Sequence, residues 1–321
     1  MMAGLQKRHW QILGFFAILL LFIFLPLGLP SFFVMLTSLS LIYAIAAMSL
    51  DLLLGYLGLA ALGHAAYFVL GAYATGILST RFQAGLGFTL FASIMTALIA
   101  AAILGPLALR AIFLYFLMIT LSIALCVWGL SMRWVSLTGG DNGIVGIQRP
   151  DLGLPWDLSE TLPFYYFILG FFLIFVFCIF LLVQSPFGKS LVAIRDSESR
   201  MRVLGFNVWL HKYLAYVIAA GFAGMGGCLY TYYNEFISPD AATLEQCMKL
   251  VLMVGLGGPG TMIGPFIGAI IITYLENIVS IYTERWLMIL AAVYLITATY
   301  TPRGILGLLQ SIRDRGRGDS G

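Results

Sequence analysis

The chain has 321 residues, of which 17 are Lys or Arg and 14 are Asp or Glu, so only 10% carry a formal charge, against about 25% in soluble domains. Apolar residues (AVILMFWYC) make up 61% and the mean hydropathy is +0.99. That supply excludes a soluble enzyme with a charged surface and a disordered chain, and four scattered cysteines exclude a disulfide scaffold. The composition predicts an all-α polytopic membrane protein, since about 20 apolar residues make one helical crossing.

Lys7 and Arg8 precede an apolar run from Trp10 to Leu29 that imitates a secretory signal. It is longer than a signal's apolar core, no small-x-small cleavage pattern follows, and apolar sequence resumes after Pro30, so it reads as a retained first span. Further spans are predicted at 32–50, 55–79, 86–109, 112–135, 164–184, 213–233, 246–258, 263–282 and 286–302. The run 246–258 is too short for a full crossing and is expected to be broken or completed by the Gly-rich segment behind it. Eight spans is the competing count. Two halves of five spans, an odd number, run in opposite directions, which is the arithmetic of an inverted-repeat transporter. Gly-punctuated runs at 55–76 and 255–268 echo one another across the halves, although unrelated Gly-rich helix packing accounts for them equally well.

The net charge of +3 is less informative than its distribution. With the N-terminus inside, inner segments collect Lys7, Arg8, Arg110, Lys189, Arg195, Arg200, Arg202, Lys212, Arg303, Arg313, Arg315 and Arg317, twelve of the 17 basic residues. The outer loop 136–163 holds Arg149 against Asp141, Asp151, Asp157 and Glu160, and the outer loop 234–247 holds three acids and no base. Both termini are therefore expected in the cytoplasm. Cys126, Cys178, Cys228 and Cys247 show no C-x-x-C or His/Cys spacing and read as small packing residues, with no metal or redox site.

Four stretches stand out from the apolar background. The first, Gly55 to Tyr73, places Gly58, Gly63, Ala66 and Gly71 around His64, where small residues allow close backbones or an unwound turn. His64 reads either as a pathway or hinge residue or as a histidine bonded between helices. The second is Glu276, near the middle of 263–282, where an acid is costly unless paired or wetted. The third is the inner island Ser185 to Asn207. Pro186 opens one short amphipathic helix there, and Ser197-Glu198 start a second that ends at Gly205. Leu191, Ile194, Met201 and Leu204 recur near helical spacing, which suits docking to a soluble partner; a basic loop that only fixes topology is the plainer alternative. The fourth is the outer turn Thr138-Gly-Gly-Asp141-Asn142-Gly143.

Together these stretches resemble the permease subunits of branched-chain amino acid ABC importers, specifically the larger M-type. Gly55–Tyr73 is similar to that family's G-Y-x-G…L-G-H-A-x-F…G-A-Y signature, Thr138–Ile144 to its T-G-G-x-N-G loop, and Ser185–Asn207 to its S-P-F-G…A-I-R-D…G-x-N coupling segment. Ser238-Pro239 and the run from Gly255 to Ala269 complete the order. Leu59 and Ala61 depart from the usual residues near His64, and Ser199-Arg200-Met201 replaces an Ala-rich stretch.

The resemblance implies one permease domain over 1–321, type II ABC importer-like, with a cytoplasmic coupling loop 185–212 and a cytoplasmic tail 303–321. It implies ATPase coupling through Gly188, Arg195, Asp196, Glu198, Arg202 and Gly205. It also implies a pathway or hinge at Gly58, Gly63, His64, Gly71 and Glu276, and an outer loop built on Gly139, Gly140, Asn142 and Gly143. The expected setting is the bacterial inner membrane, with a second permease, two cytoplasmic ATP-binding subunits and a periplasmic substrate-binding protein. No cofactor is expected on this chain, which has no G-x-x-x-x-G-K-[ST]; ATP and Mg belong to the partner subunits. Importers of urea, short amides and aromatic acids share the resemblance, so the cargo stays open. The alternative is an ion-coupled secondary transporter of small organic solutes, for which only Glu276 and His64 are candidate relay residues.

Overall fold

The computed structural model describes residues 28–111, 114–150 and 158–283, with isolated positions outside those ranges. Helix α1 (Ser31–Asp51) continues through a π-helical turn, Leu52–Tyr56, and a 3-10 turn (Leu62–His64) leads into α2 (Ala65–Phe82). There follow α3 (Leu86–Ala108), α4 (Leu114–Arg133), the single turn α5 (Val135–Thr138) and strand β1 (Ile144–Val145). The second part comprises α6 (Thr161–Gln184), the short α7 (Pro186–Asp196) and α8 (Glu198–Val203), α9 (Val208–Asn234), strand β2 (Phe236–Ile237), α10 (Leu244–Gly257) and α11 (Gly264–Tyr282).

Seven of these helices are long and apolar enough to cross a membrane. They coincide with seven predicted spans. The eighth predicted run forms α10, only 14 residues long, which ends in a Gly-rich turn before α11. The predicted spans 10–29 and 286–302, and the tail 303–321, lie outside the continuously described residues.

Burial separates the helices into an inner and an outer set. Helix α1 is enclosed on all sides, with an almost unbroken buried run from Ser40 to Leu53. Helix α9 is the other central helix, packed against α2, α3 and α1. By contrast α6 presents Ile174, Phe177 and Leu181 outward, and α4 presents Tyr115, Met118 and Leu130, the apolar girdle that lipid rather than water covers.

Small residues set the central contacts, as is usual where lipid tails remove the hydrophobic drive between helices. Helix α3 buries Thr89, Ser93, Ala97, Ala101, Gly105 and Ala108 as one stripe. Ser93 Oγ donates to the Gly224 carbonyl at 2.6 Å, and Thr231 Oγ1 donates to the Ala72 carbonyl at 3.1 Å. Hydroxyl pairs Tyr67–Tyr216 (2.8 Å) and Thr89–Tyr232 (2.7 Å) add side-chain bonds between the helices.

Residues that the charge pattern allots to one side meet one another. Between the loops expected outside, β1 pairs antiparallel with β2, Ile144 opposite Ile237, and Arg149 pairs with Glu235 at 3.0 Å. In the segment expected inside, Arg195 reaches Gly55 and Lys212 reaches Glu198. The chain is a multi-pass membrane protein.

Candidate translocation and coupling site

The two Gly-rich interruptions face each other. The first separates α1 from α2, and the second, Gly258 to Ile263, separates α10 from α11. The Gly260 N–H donates to Asp51 Oδ1 at 2.8 Å, across 209 residues of sequence. A Cβ on Gly55 would fall on both the Gly260 backbone and the Asp51 carboxylate. Only glycine lets the two interruptions touch.

Helix α7 reaches this junction. Ser185 caps it, accepting from the Gly188 N–H at 3.2 Å, with Pro186 in the first turn, where its missing N–H costs nothing. Arg195, in the last turn, donates from Nη1 to the Gly55 carbonyl, and its stem lies against Gly58, whose φ of +77° needs glycine. Arg195 also pairs with Asp196 at 3.6 Å. The guanidinium thus bonds α7 to the first interruption and lies beside Gly260 of the second.

This differs from a loop whose apolar face awaits a partner. Leu191, Ile194 and Met201 are buried within the chain itself, whereas Val203 and Leu204 are 88% and 70% exposed. The exposed apolar surface is the tip after α8, not the faces of α7 and α8. That tip is shaped by a Schellman turn: the Phe206 N–H donates to the Met201 carbonyl and the Gly205 N–H to the Arg202 carbonyl, with Gly205 at φ +84°.

Glu198 anchors the tip, bonded to Arg202 at 2.6 Å and to Lys212 of α9 at 2.7 Å. Burial pushes its carboxyl up, but Lys212 and Arg202 outweigh that and hold it below the ordinary carboxylate range. A depressed carboxyl contributes stability that is complete above its unfolded pKa, about 4.3, and is lost as pH falls through the lower folded value. The tie is therefore intact across the neutral range.

His64 is buried beside the first interruption, and its Nε2 lies 2.8 Å from Ser49 Oγ. Ser49 Oγ is also within hydrogen-bond reach of the Ala46 carbonyl, at 2.8 Å. The imidazole Nδ1 has no partner among the described residues. A Cβ on the neighbouring Gly63 would overlap the Thr120 carbonyl of α4. Gly71 lies further along, inside regular α2, against the Gly224 backbone of α9. The structure therefore gathers Gly58, Gly63 and His64 at the break and places Gly71 in a helix contact.

Glu276 is apart from these. It is ion-paired with Lys249 of α10, and the Lys249 ammonium sits 4.2 Å over the Tyr43 ring. Lys249 was not singled out by the sequence reading. The available signal was one Lys and one Glu, each isolated in adjacent apolar runs.

In the turn after α5, Gly139, Gly140 and Gly143 all have positive φ. They turn the chain so that Ile144 enters the ribbon with β2; a Cβ on Gly143 would strike the Ile237 carbonyl. Asn142 is exposed in the same turn.

Opposed, partly exposed glycine breaks in a polytopic bundle, reached by the short helix α7, suit a membrane transport component. The chain matches the family described as branched-chain amino acid transport system / permease component over residues 32–299, and it belongs to that family. It is a permease component of a transport system. It is 28% identical over 293 residues to the high-affinity branched-chain amino acid transport system permease protein LivM of Escherichia coli (strain K12), covering 84% of this chain and 68% of that one. Against the probable branched-chain amino acid transport permease protein LivM of Methanocaldococcus jannaschii it is 25% identical, covering 83% and 90%. A shorter match, 29% over 103 residues and 30% of each chain, is to the autoinducer 2 import system permease protein LsrC of Salmonella choleraesuis. No solved structure matches the chain significantly.

Proposed function

We propose that the chain is the transmembrane permease subunit of an ABC importer that passes branched-chain or related small amino acids into the cytoplasm. ATP and Mg are used by two separate cytoplasmic subunits, and the chain itself carries no catalytic or cofactor site. A second permease and a periplasmic substrate-binding protein complete the assembly in the bacterial inner membrane. The segment 185–212 is the coupling loop within a single permease domain, and the outer ribbon faces the binding protein. The observation that supports this reading is the Arg195 tie, because a loop that merely fixed topology would need charge but not a capped helix reaching the transmembrane breaks. Closure of the ATPases would move the α8 tip and α7, and Arg195 would pass that movement to both interruptions. An ion relay finds less support, since Glu276 is engaged with Lys249 and His64 with Ser49.

Co-purification from native membranes, with mass spectrometry of the partners, tests the class. ATP-binding subunits and a second permease are expected, and recovery of the chain without any ATPase would sink the reading. Both termini are proposed to be cytoplasmic; labelling from the periplasm of a cysteine placed at residue 5 or 315 in sealed cells would overturn that orientation. Gly205→Pro removes the N–H that closes the Schellman turn and forbids its positive φ. Normal membrane insertion with loss of ATPase association is expected, whereas full association in a pull-down would exclude the tip as the docking point.

A further inference from the structure

The Lys249–Glu276 pair joins α10 to α11, the two helices on either side of the Gly258–Ile263 turn. Both residues are largely buried, with side chains 4% and 19% exposed. Apolar pairs of similar volume commonly serve as well as a buried ion pair, or better, for stability alone. Ionisable groups inside a bundle therefore point to function. Two further observations point to a ligand. Thr273 is one turn before Glu276 on the same helix face, fully buried, and its hydroxyl has no hydrogen-bond partner among the described residues. On the other side of Lys249, Tyr43, Phe68 and Tyr230 form an aromatic cluster, with ring centroids 5.2 to 6.2 Å apart. These three rings, with Gln246 and Leu250, wall a small cleft between α1, α2, α9 and α10.

We propose that Lys249, Glu276 and Thr273, with the aromatic cleft, form a transient binding station for a zwitterionic amino acid crossing the bundle. This rests on the importer reading and names the chemical class that the permease itself selects. A zwitterion can enter the ion pair without leaving either charge uncompensated: its carboxylate takes Lys249, its ammonium takes Glu276, and the Thr273 hydroxyl satisfies a remaining polar atom. An apolar side chain then lies against Tyr43, Phe68 and Tyr230. A neutral amide or urea cannot replace both halves of the pair, and a simple cation or anion strands one of them. The turn that separates α10 from α11 is held by Asp51 and lies against Arg195, so movement of α7 opens or closes the pair.

The test uses the complete complex in proteoliposomes with its binding protein, and leucine as the probe. The paired substitution Lys249→Met with Glu276→Gln keeps volume and removes both charges. Normal assembly and normal binding-protein-stimulated ATP hydrolysis are expected, with leucine moved per ATP reduced at least tenfold. Thr273→Val, which replaces a hydroxyl by a methyl group, guards against a folding failure of the pair and is expected to lower the same ratio several-fold. Unchanged leucine per ATP in the paired variant, or in Thr273→Val if the pair does not assemble, overturns the station while leaving the importer reading in place. A wild-type complex that hydrolyses ATP but carries no zwitterionic amino acid overturns the substrate reading, and the station with it.

Discussion

Arg195→Ala is expected to leave the complex assembled and to uncouple it, with substrate uptake falling about tenfold or more while ATP hydrolysis continues. The side chain connects three elements: it belongs to α7, donates to the Gly55 carbonyl and lies against the Gly260 turn. Hydrogen bonds from charged donors contribute roughly 1.5–3 kcal/mol, and every ~1.4 kcal/mol is tenfold in an equilibrium. That is enough to decide whether the breaks follow the helix. Arg195→Lys is expected to recover only part of the uptake, because an ammonium cannot span the same contacts as a planar fork. Uptake and ATP hydrolysis measured together in reconstituted complex decide it. Full uptake in the Ala variant would show that motion reaches the bundle by another route.

A larger effect, on the protein as a whole, is expected from Gly71→Leu. A Cβ there would lie within 2.6 Å of the Gly224 Cα and of Ser93 Oγ, where α2, α3 and α9 converge. Overpacked cores are usually destabilised by about 1–3 kcal/mol, and here a whole isobutyl group meets backbone that cannot yield. Loss of mature protein from the membrane fraction is expected. Gly170→Leu is the control: the residue is exposed on α6, and a Cβ there meets nothing within 4 Å. Equal membrane levels of the two variants, read by immunoblot, would remove the close-packing account of the central helices.

The span pattern was legible because hydrocarbon demands long apolar runs, and Gly or charge interrupts them wherever the backbone leaves that regime. The shortness of 246–258 was visible for the same reason and appears as the 14-residue α10. The two short inner helices were readable from Pro186, Ser197 and Gly205, which are local capping signals. Long-range partners were not readable. Nothing near Asp51 in the sequence indicates Gly260, and the isolation of Lys249 and Glu276 in adjacent apolar runs does not by itself show that they meet. The direction in which an amphipathic face points was equally hidden: Leu191 and Ile194 have the same spacing whether they meet the chain's own bundle or another protein. The resemblance implies a coupling role for Arg195, but its inward engagement with Gly55 depends on the fold.

The Asp51–Gly260 bond also bears on how the chain is made. Asp51 leaves the ribosome 209 residues ahead of the amide that satisfies it. Until residue 260 has been synthesised and inserted, the carboxylate lacks this donor. The junction between the two glycine breaks therefore forms only after the second of them has been inserted.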